Sequence, residues 1–299
     1  MKPSFAVVGG GRVGTALGSH LVRAGYQCIG VACATPASAQ KAADIIGTGV
    51  ASAVPWEITP GADIVLITTP DTTIAKVCEQ IDTHNGFAPG GVVLHCSGAL
   101  PSTILKISRT PDVSTGSMHP LQSIAGNDPS VNPFKGIVMA VEGGPEALAA
   151  GKTMAADLGA TPFIIRTDAK MLYHAAAVVA SNYLVALCDA AFSLLEASGI
   201  DRNHAFETLG PLIFGTLENI RTVGIPHALT GPVARGDEGI INAHIQEIKN
   251  RKPDLLPVYR AMGLHTINVA RAKGTITETQ AEALKKILTA EGPVMPGHD

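Results

Sequence analysis

Cysteine is sparse and unpatterned: Cys28, Cys33, Cys78, Cys96 and Cys188 are the five in 299 residues. Their odd number and the lack of any CxxC pair argue against a disulfide framework and fit the reducing cytoplasm. Charge is also thin, with 16% charged residues and a formal net charge of -3. Such a balance offers neither a basic face for nucleic acid nor a polybasic patch for a membrane surface. Ten histidines include no HExxH and no paired Cys/His spacing, so no metal site is expected. There is no GxSxG elbow for an acyl-enzyme, no internal repeat and no low-complexity segment. The N-terminal MKPSFAVVGGGRVG lacks the longer apolar core and cleavage site of a signal peptide and reads as a first strand. A small-molecule partner is what these absences leave.

The longest apolar stretch, DAKMLYHAAAVVASNYLVALCDAAFSLL over 168–195, is interrupted by Lys170, His174, Asn182 and Asp189. Those groups are costly on a lipid-facing helix, and the stretch is expected to be a buried protein helix. Before it, short apolar runs alternate with helical patterns: FAVV (5–8), CIGVACA (28–34), ADIVLIT (62–68), GVVLHCS (91–97), GIVMAV (136–141) and TPFIIR (161–166). This alternation predicts an α/β fold with a doubly wound, mostly parallel sheet. After Arg166 no strand pattern recurs. The expected division is a dinucleotide-binding domain over 1–166 and an all-helical substrate and dimerisation domain over 167–299. Asp201 is a candidate cap there, and Thr277 with Gln280 has capping-box spacing.

Between the first run and the first helical pattern stands GGGRVG, in which Gly9, Gly11 and Gly14 fit GxGxxG. The strand-to-helix context gives each glycine a physical reason. Gly9 makes the tight turn, Gly11 lets the backbone approach a pyrophosphate, and Gly14 allows close helix packing while free helix N–H groups face the anion. Gly10, Arg12 and Val13 complete the predicted cradle. An NAD site usually carries an acid about 20 residues on, at the end of the second strand. Here CATPASAQK has none before Asp44, while Thr35, Ser38, Lys41 and Arg12 could hold a 2′-phosphate, so NADP(H) is preferred to NAD(H). Thr69, Pro70 and Ser97, at the carboxyl ends of later strands, are placed beside the nicotinamide, although turn chemistry explains them equally.

Lys170 lies in the first turn of the long helix, where the macrodipole disfavours a cation by a few tenths of a kcal/mol or more. At about 100° per residue, Lys170, His174, Ala177, Ser181 and Cys188 share one stripe, with Asn182 beside it. A cleft lysine could polarise or protonate a carbonyl oxygen as hydride arrives, with His174 holding substrate or tuning it. The plain alternatives are a snorkelling lysine and a hydrogen-bonded core histidine. His119, before Pro120 in GSMHPLQS, should be extended or in a turn just past a likely strand and is a further candidate for contact with substrate. In LTGPVARGD, Arg235 could clamp a carboxylate, while Asp237 could instead pair with it or cap the next helix.

The segments GGGRVGTAL, HCSGAL, GSMHPLQS, YHAAAVVASNYLVAL and LTGPVARGD together resemble a bacterial family that joins a Rossmann-like domain to a helical domain of unknown function, number 2520. The family belongs among the 6-phosphogluconate dehydrogenase-like oxidoreductases. The resemblance implies hydride transfer between nicotinamide and a carbonyl or imine of a small carboxylate-bearing substrate, and a homodimer formed through the helical domain. It also implies catalytic duty for the helix lysine, here Lys170, and substrate binding four residues on, where relatives carry asparagine and this chain has His174. Some members are similar to an alternative ketopantoate reductase, which points to a 2-keto acid. Relatives commonly read SRS where this chain has Cys33, Ala34 and Thr35. His119–Pro120 is similar to a pair in prephenate dehydrogenases. A non-catalytic sensor of cofactor state is the competing class, since fold alone does not fix function.

Overall fold

The computed structural model describes residues 2–123 and 131–290 as two compact units, Met1–Asn182 and Tyr183–Asp299. In the first unit the chain runs β1 (Ser4–Val8), α1 (Arg12–Arg23), β2 (Gln27–Ala32), α2 (Pro36–Ile46), β3 (Val50–Ser52) and β4 (Ile64–Ile67). It continues through α3 (Asp71–Thr83), β5 (Val92–His95), β6 (Ser114–Pro120), β7 (Val138–Gly143), α4 (Pro145–Asp157), β8 (Thr161–Ile164) and α5 (Lys170–Ala180). The strands form one sheet in the order β3-β2-β1-β4-β5-β6-β7-β8. All neighbours are parallel except β6 and β7, which pair antiparallel with His119 opposite Ala140 and Ser117 opposite Glu142.

The all-apolar runs give this sheet because its central strands are covered on both faces. In β1, Phe5 and Val7 enter one core with Leu17, Leu66 and Met139, while Ala6 and Val8 enter another with Ile67, Ile74 and Ile81. Each such large side chain contributes about 1.5–3 kcal/mol through burial. The order reverses between β1 and β4, and the crevice at that switch point, beyond the carboxyl ends of the strands, is where ligands bind in open sheets of this kind. The sequence placed His119 just past a likely strand; that strand is β6, and it runs on through His119 to Pro120 although STGSMHP supplies only one large apolar side chain. His119 is therefore inside a strand, in extended backbone.

Two expectations about the apolar stretch need correction. It is not one helix: α5 ends at Ser181 (φ −118°, ψ −68°), and α6 (Asn182–Ala197) follows, so Cys188 does not continue the stripe of Lys170 and His174. Nor is it buried within the chain. Lys170 is the sole buried residue of α5, and α6 has none, while Leu172 is 77% and Val185 70% exposed. Residues Thr167–Ala197, with mean hydropathy 1.7, have the length and composition of a membrane span. The compact units also divide after α5 and not at 166/167. The reason is local: the Lys170 side chain is anchored to β6 and β7.

The second unit continues with α7 (Ala205–Val223), α8 (Ile225–Ala228), α9 (Glu238–Arg251), α10 (Leu256–Lys273) and α11 (Glu278–Thr289). Its core gathers Val233, Ile241, Ile245, Ile267, Ala281 and Leu284. Thr277 and Gln280 form the expected capping box on α11. Asp201 caps the short turn leading into α7.

Candidate active site

The turn between β1 and α1 has the geometry its glycines demand. Gly9 adopts φ +111°, and a Cβ there would lie 2.7 Å from the backbone of Thr68 and Thr69. Its N–H donates to Ala32 O at 2.8 Å, and its carbonyl accepts from Thr68 Oγ1 at 2.5 Å. A Cβ on Gly14 would collide with that same carbonyl, whereas one on Gly11 would meet no atom within 4 Å. Gly11 is the N-cap of α1, without a side-chain cap, and no acid occupies the first turn, which includes Arg12 and Val13. An uncapped helix start beside open space accepts an anion. Nearby, Thr69 Oγ1 is buried without a hydrogen-bond partner. These features fit a dinucleotide pyrophosphate.

Several residues assigned to the cofactor also perform local structural work. Thr35 is the N-cap of α2, in a reciprocal capping box with Ser38, behind Pro36 at the helix start. Pro70 caps α3. Ser97 donates to Asp71 Oδ2 at 2.8 Å and accepts from the N–H groups of Ala99 and Leu100. Its hydroxyl is thus turned into the 97–100 loop. Gly10 donates to Cys33 Sγ at 3.2 Å, which ties the glycine turn to the end of β2.

A cavity of about 560 Å³ is lined by β6 and the segment after it, by α5, and by Ser181 and Asn182; His119, Pro120, Tyr173, His174 and Ala177 form much of its wall. His119 Nδ1 lies 3.1 Å from the Tyr173 hydroxyl. The rings of His119 and His174 are 6.4 Å apart and nearly perpendicular. Both converge on Gly98, where an added Cβ would fall 2.8 Å from His119 Nε2 and from His174 Nδ1. His174 Nδ1 is buried and has no partner. Burial first, then the Lys170 ammonium and His174, push the His119 pKa down to about 4, against the pull of Asp71. The fully buried His95 behind them is also pushed down to about 4, by burial and then by Lys170.

Lys170 is not in the cavity wall. It is 1% exposed, donates to Ser117 Oγ, and pairs with Glu142 Oε1 at 3.4 Å. Glu142, on β7 and equally buried, accepts from Ser102 N at 2.8 Å, Ser102 Oγ at 2.7 Å and Thr167 Oγ1 at 2.8 Å. Burial alone would raise its pKa, but the hydrogen bonds from Ser102, Thr167 and Ser117 and the Lys170 charge hold it below the usual carboxylate range. Burial lowers the Lys170 pKa to about 8 despite Glu142. The macrodipole problem at the start of α5 is met by this ion pair, so the lysine is neither snorkelling nor open to solvent.

In the second unit, Asp237 is the N-cap of α9, its Oδ1 accepting from Ile240 N at 3.2 Å, and Arg235 stands exposed in the preceding turn. The sequence reading missed Tyr173, Glu142 and Ser117. A glutamate closing the apolar run VMAVE was the one available signal, since an acid on a buried strand needs a partner.

The fold and cradle define a Rossmann-like protein, and residues 2–120 match the Rossmann-like domain family. Residues 137–266 match the domain of unknown function 2520, so the chain joins these two family domains. No curated protein matches it. Among solved structures, it is similar to protein TM1727 from Thermotoga maritima, at 25% identity and TM-score 0.72, covering 90% of this chain and 99% of that one. It is also similar to a provisionally named NADP oxidoreductase, BF3122, from Bacteroides fragilis, at 22% identity and TM-score 0.70, covering 91% and 98%. A pyrroline-5-carboxylate reductase from Coxiella burnetii shares the fold at 12% identity and TM-score 0.58, covering 96% and 99%.

Proposed function

We propose that this protein is a nicotinamide-dependent oxidoreductase acting on a carbonyl or imine of a small, carboxylate-bearing substrate, a 2-keto acid first among the candidates. One observation carries the reading. An uncapped glycine turn and a cavity walled by two convergent imidazoles lie on the same sheet, at the carboxyl ends of its strands. The dinucleotide, when bound, supplies or accepts the hydride. Gly9, Gly10, Gly11, Arg12, Val13 and Gly14 hold its pyrophosphate, and Thr69, Pro70 and Ser97 flank its nicotinamide end. Thr35 and Lys41 lie toward its adenosine ribose, where the missing acid favours NADP(H). His119 and His174 hold and polarise the reacting oxygen or nitrogen. Asn182 reaches the same cavity. Lys170 acts from behind the wall as a fixed charge, and Arg235 in the second unit is the candidate carboxylate anchor.

The named relatives support this reading: one carries NADP in its name, and another is a reductase of a cyclic imine acid. The exposed apolar side chains of α6 and α7, Tyr183, Val185, Phe206, Leu212 and Phe214 among them, suit coverage by a second copy of the chain. A homodimer is therefore part of the proposal. The five cysteines are all free, in keeping with a cytoplasmic enzyme.

Fluorescence titration with NADPH and NADH, followed by oxidation assays against 2-keto acids, cyclic imines and aldehydes, tests the reading. Binding of NADPH ahead of NADH with turnover of a 2-keto acid is the expected result. Failure to bind either dinucleotide would overturn it, and binding without any turnover would favour the sensor.

A further inference from the structure

We propose that Tyr173 is a positioning residue: its hydroxyl donates to Nδ1 of His119 and fixes that ring as the Nε2–H tautomer, presenting an uncharged N–H to the substrate atom. The inference rests on the oxidoreductase reading for its catalytic consequence, while its structural part stands alone. A neutral imidazole has one donor and one acceptor nitrogen, and the partner of one decides the role of the other. The Tyr173 hydroxyl is 3.1 Å from Nδ1, and burial raises the phenol's pKa, so it remains an O–H. Imidazole nitrogen is a better acceptor than phenol oxygen, which sends the proton of this bond from Tyr173 toward Nδ1. The ring proton is then on Nε2.

The second observation is where Nε2 points. It converges with His174 Nδ1 on Gly98, where the absent side chain lets both rings sit close to the backbone, and both histidines line the cavity. Titratable groups from three neighbouring elements surround His119. From α5 come Lys170, Tyr173 and His174; from β5, His95; from the start of α3, Asp71. Lys170 and His174 resist protonation and Asp71 alone favours it, with burial adding to the resistance. A neutral imidazole N–H aimed at an oxygen that gains negative charge as hydride arrives is an electrophilic donor, and it needs no imidazolium.

The experiment uses full-length protein labelled with 15N-histidine, with the His119 signals assigned by their loss in His119→Gln. Wild type should show one protonated nitrogen, Nε2, from about pH 6 to pH 8, with no imidazolium signature near the ordinary histidine pKa of about 6.5. Tyr173→Phe should shift the Nδ1 resonance, and its turnover should fall about tenfold or more with cofactor affinity unchanged, as when the group holding a catalytic tautomer is removed. Unchanged circular dichroism and thermal midpoint would confirm that Tyr173→Phe is folded. A doubly protonated His119 at pH 7, an Nδ1–H ring, or an unshifted Nδ1 in Tyr173→Phe would overturn the proposal. Because the spectra are read without cofactor, they distinguish its failure from failure of the oxidoreductase reading, which shows as absent dinucleotide binding.

Discussion

Replacing Glu142 by Gln keeps the volume of a buried side chain and removes its charge, which isolates what the carboxylate does for Lys170. The ammonium is 1% exposed, and breaking such a pair can cost about 3–5 kcal/mol when the remaining charge is trapped. Lys170 has an escape. Its pKa is already about 8, so at pH 7 it can shed its proton for about 1.4 kcal/mol, one pKa unit, and that caps its share of the penalty. The rest comes from three hydrogen bonds, from Ser102 N, Ser102 Oγ and Thr167 Oγ1, that lose a charged acceptor. The difference is roughly 0.5–1 kcal/mol each, partly offset by easier burial of an amide. A total of about 2–4 kcal/mol at pH 7 is expected.

The pH dependence carries the discriminating sign. Lys170 has a folded pKa of about 8, below its ordinary 10.5, so from about pH 8 to 10.5 the unfolded chain binds more protons and this group's contribution to stability rises with pH. By pH 9 the wild-type lysine is largely neutral, and loss of Glu142 no longer strands a cation. The Glu142→Gln penalty should therefore shrink by about 1 kcal/mol between pH 7 and pH 9. At the acid end, the depressed Glu142 pKa makes its contribution present above the ordinary carboxylate range and lost as pH falls through the folded value. Urea unfolding of wild type, Glu142→Gln, Lys170→Met and the double variant, at fixed protomer concentration and both pH values, measures this. A penalty that is constant or larger at pH 9, or additive single-variant costs, would refute the reasoning.

Gly11→Ala and Gly14→Ala should separate ligand from fold: the first meets no protein atom and should weaken dinucleotide binding in titrations while leaving the thermal midpoint unchanged. The second drives a methyl into Gly9 O and should cost about 1–3 kcal/mol in urea unfolding. Lys41→Ala should lower NADPH affinity several-fold and leave NADH affinity alone; equal losses would remove Lys41 from phosphate recognition. Glutamates at Leu212 and Phe214, both exposed on α7, should halve the sedimenting mass, and a wild type that already sediments as a monomer would end the dimer proposal.

Much of the sheet was legible because parallel strands buried on both faces must be largely apolar, as FAVV and IVLI are throughout and VVLH is up to His95. The glycine cradle was legible for a related reason: tight turn, open approach and close packing each exclude a side chain at a fixed offset. The extent of β6 was hidden because Gly116, Ser117 and His119 give neither an apolar run nor clean alternation, and the strand is carried through His119 by its partners β5 and β7. Tyr173 was hidden for the same kind of reason, since its hydroxyl matters only once β6 brings His119 to it. The apolar composition of 168–195 predicted a buried helix, whereas the chain itself leaves α5 and α6 largely exposed, because composition does not say what a face packs against.

Lys170 shows where reading a residue's identity and reading its chemistry part. Its position at the start of a helix, against the macrodipole, pointed to a cation required for something other than helix stability. Glu142, on a strand 28 residues earlier, supplies the compensating charge, and Ser117 and Thr167 complete the network. To deliver a proton to substrate, the ammonium would have to leave Ser117 and Glu142, stranding a buried carboxylate beside it. His119 faces the cavity and gives up no ion pair when it donates a hydrogen bond. On the proposed reading, then, the imidazole is the group that meets substrate, and burial together with the Lys170 charge keeps it neutral.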